Sequence, residues 1–313
     1  PGRIRDLNDE DFMDWIIRHG ASEAAARGTL VRGLYDLVFG FADGDTDRAG
    51  FGAGLGLFLS AKTFFDYKGA IFWKMAAGMG DVVIAPLYQA LLERGVEFEF
   101  FTRIDDLHLD TTDATSPTIS AIDVTRQAHV SGGPAAYRPL VDIRGLPCFS
   151  RELRTDQLAR VPAAGTDSEI FESHWWPDEG ASHETLRRGI DFDHVIFAIP
   201  VGMARHVTGE LSAVSDRWRA MVDGLGTVAT EALQLWIRPD ESELGGPTAG
   251  ATVSGFMQPF DTWVSMPQLI ERERWPAGEQ PGTIAYFCST MPVEATDPCN
   301  VDPAAAAEIV TRH

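Results

Sequence analysis

The residues best placed to do chemistry lie in one run, Phe72-Trp73-Lys74-Met75-Ala76-Ala77-Gly78-Met79-Gly80-Asp81. Gly78 and Gly80 put a turn without side chains at the start of a helix. Backbone N–H groups are unpaired there, and a ligand can come close to the main chain. After Asp81, Val83, Ile84, Leu87, Tyr88, Leu91 and Leu92 fall on one helical face, and Pro86 either opens the regular helix or kinks it after its first turn. Gly95 is placed to end that helix. Residues 96–101, Val-Glu-Phe-Glu-Phe-Phe, then alternate as a strand does, and Arg103-Ile104-Asp105-Asp106-Leu107 follows. The unit is loop, helix and strand, half of an α/β layer.

Other chemistries have little support. No Ser-His-Asp, Cys-His or paired-carboxylate signature is present. The eight histidines form no His-x-His or His-Glu-x-x-His, so no metal centre is expected. Asp43-x-Asp45-x-Asp47 has the spacing of a calcium loop, but Arg48 and Gly54 stand where such a loop needs Gly and Glu, and a polar turn is the reading. The glycines at 50, 52, 54 and 56 lack Gly-x-Gly-x-x-Gly spacing and a preceding apolar strand, so they are expected to lead into a helix around Leu57 to Phe65.

Two segments together carry a resemblance. Gly78-Met79-Gly80, the helix, Arg94-Gly95-Val96, the strand and Arg103-Ile104-x-x-Leu107 resemble the central segment of the flavin-containing amine oxidase and carotenoid (phytoene) desaturase superfamily of FAD-dependent oxidoreductases. Phe192-Asp193-His194-Val195-Ile196-Phe197-Ala198-Ile199-Pro200 resembles that family's later strand, which returns to the cofactor domain and ends in Ala-x-Pro. The resemblance implies an α/β plus α+β fold: a partial FAD-binding, Rossmann-like domain with an antiparallel-sheet and helical substrate domain. It implies FAD as cofactor, with Gly78, Met79 and Gly80 at the flavin edge, Ile104 at the adenine, and Ala198, Ile199 and Pro200 passing the ribityl and pyrophosphate side. A buried strand end and a tight turn are the plainer alternatives for these residues.

The implied reaction is hydride transfer from an amine, polyene or other apolar small molecule to the flavin. An isoprenoid or carotenoid desaturase or isomerase is one alternative, and a non-catalytic binding module that has lost the nucleotide loop is another. The family's opening Gly-x-Gly-x-x-Gly is not in this sequence, so the chain is expected to be an internal fragment, inactive when isolated. No catalytic residue is assigned. Lys74 could stay charged against reduced flavin or hold a water, or simply be a solvated side chain.

The net charge of -20 disfavours nucleic acid, whose phosphates would be repelled. The chain is 44% hydrophobic with regular apolar periodicity, which fits a globular protein. No run reaches the roughly 18 apolar residues of a membrane span. Cys148, Cys288 and Cys299 are scattered, the pattern of a reduced, cytoplasmic protein.

Five regions are expected along the chain. Residues 1–70 form a helical substrate-side region, with Asn8 or Asp9 capping the first helix and Ser22 the next, which runs past Leu30, Leu34 and Leu37. Residues 71–125 form a cofactor-domain segment that ends in a hairpin of Leu107, His108 and Leu109 with residues 119–124. Residues 126–190 are an insertion in that domain, and 191–205 its returning strand. Residues 206–313 hold the substrate domain: a helix over 212–222, strands near 230–237, 255–264 and 283–289, and a helix near 267–274. Asp302-Pro303 opens a last helix.

Overall fold

The computed structural model describes residues 4–70, 73–113, 116–160, 171–172, 176, 180–245, 252–254, 260, 262–292 and 302–312. Phe72, Cys299 and residues 255–259 of an expected strand lie outside them. The helices are α1 (Phe12–Arg18), α2 (Glu23–Ala26), α3 (Thr29–Leu37), α4 (Ala53–Phe65), α5 (Ala85–Leu92), α6 (Val201–Val207), α7 (Gly209–Val214), α8 (Asp216–Gly224) and α9 (Pro303–Arg312). The strands are β1 (Thr102–Asp110), β2 (Thr118–Arg126), β3 (Leu140–Ile143), β4 (Leu146–Phe149), β5 (Ser182–Arg187), β6 (Thr230–Ile237), β7 (Thr252–Ser254), β8 (Thr262–Ser265) and β9 (Thr283–Thr290). Strand order is β1-β2-β5, β3-β4 and β6-β9-β8-β7, and every ladder is antiparallel. The architecture is therefore mixed helix and antiparallel sheet, as an α+β fold has. The chain divides into two compact units, Pro1–Gly78 with Thr227–His313, and Met79–Gly226.

In the first unit the helices pack around Phe12, Met13, Tyr35, Phe41, Phe51 and Ala53. Asp11, and not Asn8 or Asp9, caps α1. Its Oδ1 accepts from Met13 N at 2.8 Å and from the Tyr35 hydroxyl at 2.7 Å, while Oδ2 accepts from Phe51 N at 3.0 Å. One carboxylate thus joins a helix start, a core tyrosine and the loop before α4. Ser22 does cap α2, but that helix ends at Ala26, and Gly28, in extended backbone, is the N-cap of α3. The glycines ahead of Leu57 let chains touch: a Cβ on Gly54 would lie 2.0 Å from the Ile4 carbonyl oxygen, and one on Gly56 2.5 Å from the Phe12 ring. They are sites of close helix packing. Asp43 pairs with Arg48, and Asp47 N donates to Asp45 Oδ1, the hydrogen bonds of a polar turn.

The four-stranded sheet belongs to the same unit. β6 and β9 form where expected, whereas the helix near 267–274 is only a 3-10 turn, Pro267–Leu269. Asp302 caps α9, its Oδ1 accepting from Ala305 N.

In the second unit the expected hairpin is present, with Leu107 opposite Ile122, His108 opposite Ala121 and Leu109 opposite Ile119. β5, from the expected insertion, adds to β2. The helix expected over 212–222 is broken at Ser215, whose hydroxyl caps α8. Residues 96–101 and 192–200, expected to share one sheet, belong to none of the three sheets; Phe192 makes only an isolated bridge to Arg188. Residues 96–101 still alternate: Phe98 and Phe100 both turn to Tyr88 of α5, at ring separations of 4.7 and 6.0 Å. Alternation sets local conformation, but a ladder also needs a neighbouring strand in register.

His108 ties the hairpin to α7. Its Nε2 meets Asp123 at 2.8 Å and its Nδ1 meets Glu210 at 2.9 Å, while Leu109 N donates to the other Glu210 oxygen at 2.7 Å. With a carboxylate on each ring nitrogen, the imidazolium is favoured and the His108 pKa is raised to about 9, Asp123 contributing most. The same bonds hold Asp123 and Glu210 below their usual values.

Two outcomes follow from this packing. Gly54→Ala should destabilise the protein by about 1–3 kcal/mol despite alanine's better helix propensity, and an unchanged urea midpoint would contradict the close approach to Ile4. The His108 clamp has a pH signature. The raised histidine pKa gives stability that is complete below the unfolded value of 6.5 and lost as pH rises through about 9. The lowered carboxylates give stability that is complete above their unfolded values, 3.8 and 4.5, and lost as pH falls through the folded ones. Wild type should therefore exceed His108→Gln most between pH 4.5 and 6.5, with the gap closing towards pH 10. A gap that widens on the alkaline side would refute the clamp.

Candidate functional site

The glycine turn opens on a widened helical turn. Residues Gly80–Ile84 are π-helical, Ala85 N donating to the Gly80 carbonyl, and α5 continues with Pro86 in its first turn. Proline has no N–H and its ring presses on the preceding turn, so the π turn admits it without breaking the helix. At the far end Gly95, with φ +81°, closes the helix. Gly95 N donates to Leu92 O at 2.9 Å and Val96 N to Leu91 O at 3.0 Å, both bonds of a Schellman cap. Asp81 fixes the helix start to β4 by accepting from Phe149 N at 3.2 Å. Burial, and then Asp81, push the neighbouring Cys148 thiol up.

Gly80 does not take a positive φ, and no atom lies within 4 Å of where its Cβ would stand. Met79 before it has helical dihedrals. The turn is thus open without being strained. Met79, Val83 and Leu87, one helical face, are 55%, 38% and 53% exposed, while Ala85 and Tyr88 are buried on the opposite side.

The other expected cofactor residues of this unit lie on two further elements. Ile104 is partly buried in β1, opposite Val124, and β1 is the outer strand of its sheet. Ala198 and Pro200 are exposed and Ile199 is half-buried in the unladdered stretch, with Pro200 the N-cap of α6. α6 packs on β1, bringing the end of that stretch to the strand of Ile104, whereas the glycine turn packs on β4.

Within the first unit, Lys74 is anchored. Its Nζ donates to the Ser265 carbonyl at 2.5 Å, from 191 residues away in sequence, and Gln268 Nε2 reaches Met75 O at 3.4 Å. Burial of the ammonium pushes the Lys74 pKa down, although the residue as a whole is exposed, and the Glu241 carboxylate opposes the shift. Glu241 itself is buried. Trp73 remains 71% exposed beside this anchor. Sequence reasoning singled out Lys74 but not its partners. No side-chain pattern announces them, because the partner at Ser265 is a main-chain carbonyl and Glu241 lies in the turn after β6. Among the other tryptophans, Trp176 is buried in a ring cluster with Phe171, and Trp236 is exposed; Trp175 lies outside the described residues.

No group of three or more His, Cys, Asp or Glu able to hold a metal ion occurs among the described residues. Nor is any described helix long and apolar enough to cross a membrane. No protein-family model matches the chain, and comparison with curated proteins and with solved structures gave no match.

Lys74→Met removes the donor to the Ser265 carbonyl and a positive charge that interacts with Glu241, and should lower stability by about 1–2 kcal/mol. Equal urea midpoints for variant and wild type would show the anchor to be idle.

Proposed function

We propose that this chain is part of an FAD-dependent oxidoreductase of the amine oxidase and desaturase kind, moving a hydride from a small, largely apolar molecule to flavin. The observation that carries the reading is the turn at Gly80. It leaves main chain open at a helix start, flanked by exposed apolar residues, with no strain or packing of its own that calls for glycine.

The residues present fit the edges of such a cofactor. A flat ring needs close main-chain approach, which Gly80 permits. Residues 96–101 and 192–200 have main chain that enters no ladder, so it can still pair with strands of a Rossmann-like layer or meet a ligand, and Ile104 lies on an outer strand. When bound, the flavin accepts the hydride at its N5. The chain's own part is to seat the ring's edge at Gly80 and to pass the cofactor along Ala198, Ile199 and Pro200. We expect a cytoplasmic protein, in keeping with the scattered cysteines, of which Cys148 and Cys288 are in no disulfide.

Gly80→Val tests this directly, because valine is about as good as glycine in a helix and meets no neighbour here. In the polypeptide as the cell makes it, the variant should lose most of its flavin absorbance per folded molecule while its unfolding temperature barely moves. Wild-type protein without flavin, or a variant with full flavin content, would overturn the reading and leave the non-catalytic binding module.

A further inference from the structure

The four-stranded sheet has a chemical anomaly on one face. Register puts Glu231, Leu233 and Leu235 of β6, Ser289 of β9, and Trp263 and Ser265 of β8 on the same side. Besides one carboxylate oxygen of Glu231, three uncharged polar atoms in this group are shut off from solvent and have no hydrogen-bond partner: the Trp263 indole N–H, the Ser265 hydroxyl and the Ser289 hydroxyl. Ser265 is fully buried and Ser289 is 8% exposed. A buried donor left unmatched costs about 1–3 kcal/mol, and native folds leave few of them. Three on one face of one small sheet call for a partner.

The chemistry of that partner follows from the groups. An indole N–H only donates, so it needs an acceptor, which an ammonium does not offer. Ser289 lies opposite Glu231, whose carboxylate would repel an anion. Leu233 and Leu235, on the same face, are 38% and 40% exposed and offer apolar surface. Trp263 is two residues from each serine in register, about 7 Å along the strands. A single oxygen bonded to the indole can therefore reach one of the serines as well.

We infer that this face binds a neutral oxygen function, an alcohol or ketone, on an apolar body, with Trp263 donating to the oxygen. The inference rests on the oxidoreductase reading for its meaning, since it gives the substrate an oxygenated end instead of leaving it a plain hydrocarbon or an amine. The binding itself needs no flavin.

The test is an NMR titration of the whole chain, following the indole N–H resonance of Trp263, identified by its loss in Trp263→Phe. Cyclohexanol and cyclohexanone should shift it saturably, whereas cyclohexane and cyclohexylammonium should not. At least one of Ser265→Ala and Ser289→Ala should weaken binding roughly tenfold, the weight of one hydrogen bond, with an unchanged unfolding temperature. Should an alanine variant fail to fold, the serine-to-cysteine variant supplies the same comparison. The inference falls if the oxygenated probes leave the resonance unmoved, if cyclohexane or the ammonium matches them, or if both serine variants bind as wild type does, the mark of groups satisfied by water. Flavin content separates the two readings: a flavin-free protein that binds cyclohexanone sinks the redox assignment and keeps the site, and a flavin-loaded protein that ignores it does the reverse.

Discussion

The guanidinium of Arg126 holds the second unit together where its ladders stop. It is nearly buried at the end of β2. Its Nε bonds Glu184 of β5 at 2.9 Å, while its Nη1 bonds Glu99 at 2.6 Å and the Thr102 hydroxyl at 2.8 Å. Burial works against the charge, and the two carboxylates outweigh it, so the arginine pKa is raised. Glu99 belongs to the stretch that enters no sheet. One planar fork therefore does for residues 96–101 what a row of backbone hydrogen bonds would otherwise do, and the Phe98 and Phe100 rings seal the other side against Tyr88. Beyond them Phe100 and Phe101 both meet Tyr137, so the 126–190 region is packed onto this stretch through rings.

What could be read from the sequence was local. The hairpin of β1 and β2 was legible because its apolar residues alternate on both sides of a polar turn, and the caps at Ser22 and Asp302 because a side chain next to a helix start has few other roles. Partners distant in sequence were not legible. Residues 96–101 alternate whether or not a strand lies beside them. Asp11 displaced Asn8 and Asp9 as a cap because Tyr35 and Phe51 also need its carboxylate, and nothing near position 11 announces either.

The candidate site shows the same divide. Gly80 stands at a helix start, as its place before the apolar run implies, and the structure adds that the space above it is open and its backbone ordinary. Lys74 is legible as a polar residue beside the turn, while its hydrogen bond to Ser265 is a matter of tertiary structure. The glycines at 54 and 56 carry the opposite lesson: a cluster that could pass for a loop motif is a groove in α4 filled by Ile4 and Phe12.

The π turn at Gly80–Ile84 has a consequence for how this chain can vary. One extra residue in a helix turns everything on one side of it by about 100° relative to the other. Losing a single residue between 80 and 84 would leave the rest of α5 seated on Phe98 and Phe100 yet swing the glycine turn roughly a quarter of the way round the helix axis. A variant without Pro86 has no need of the wider turn, so the residue that cannot be lost while the proline is there becomes one that can.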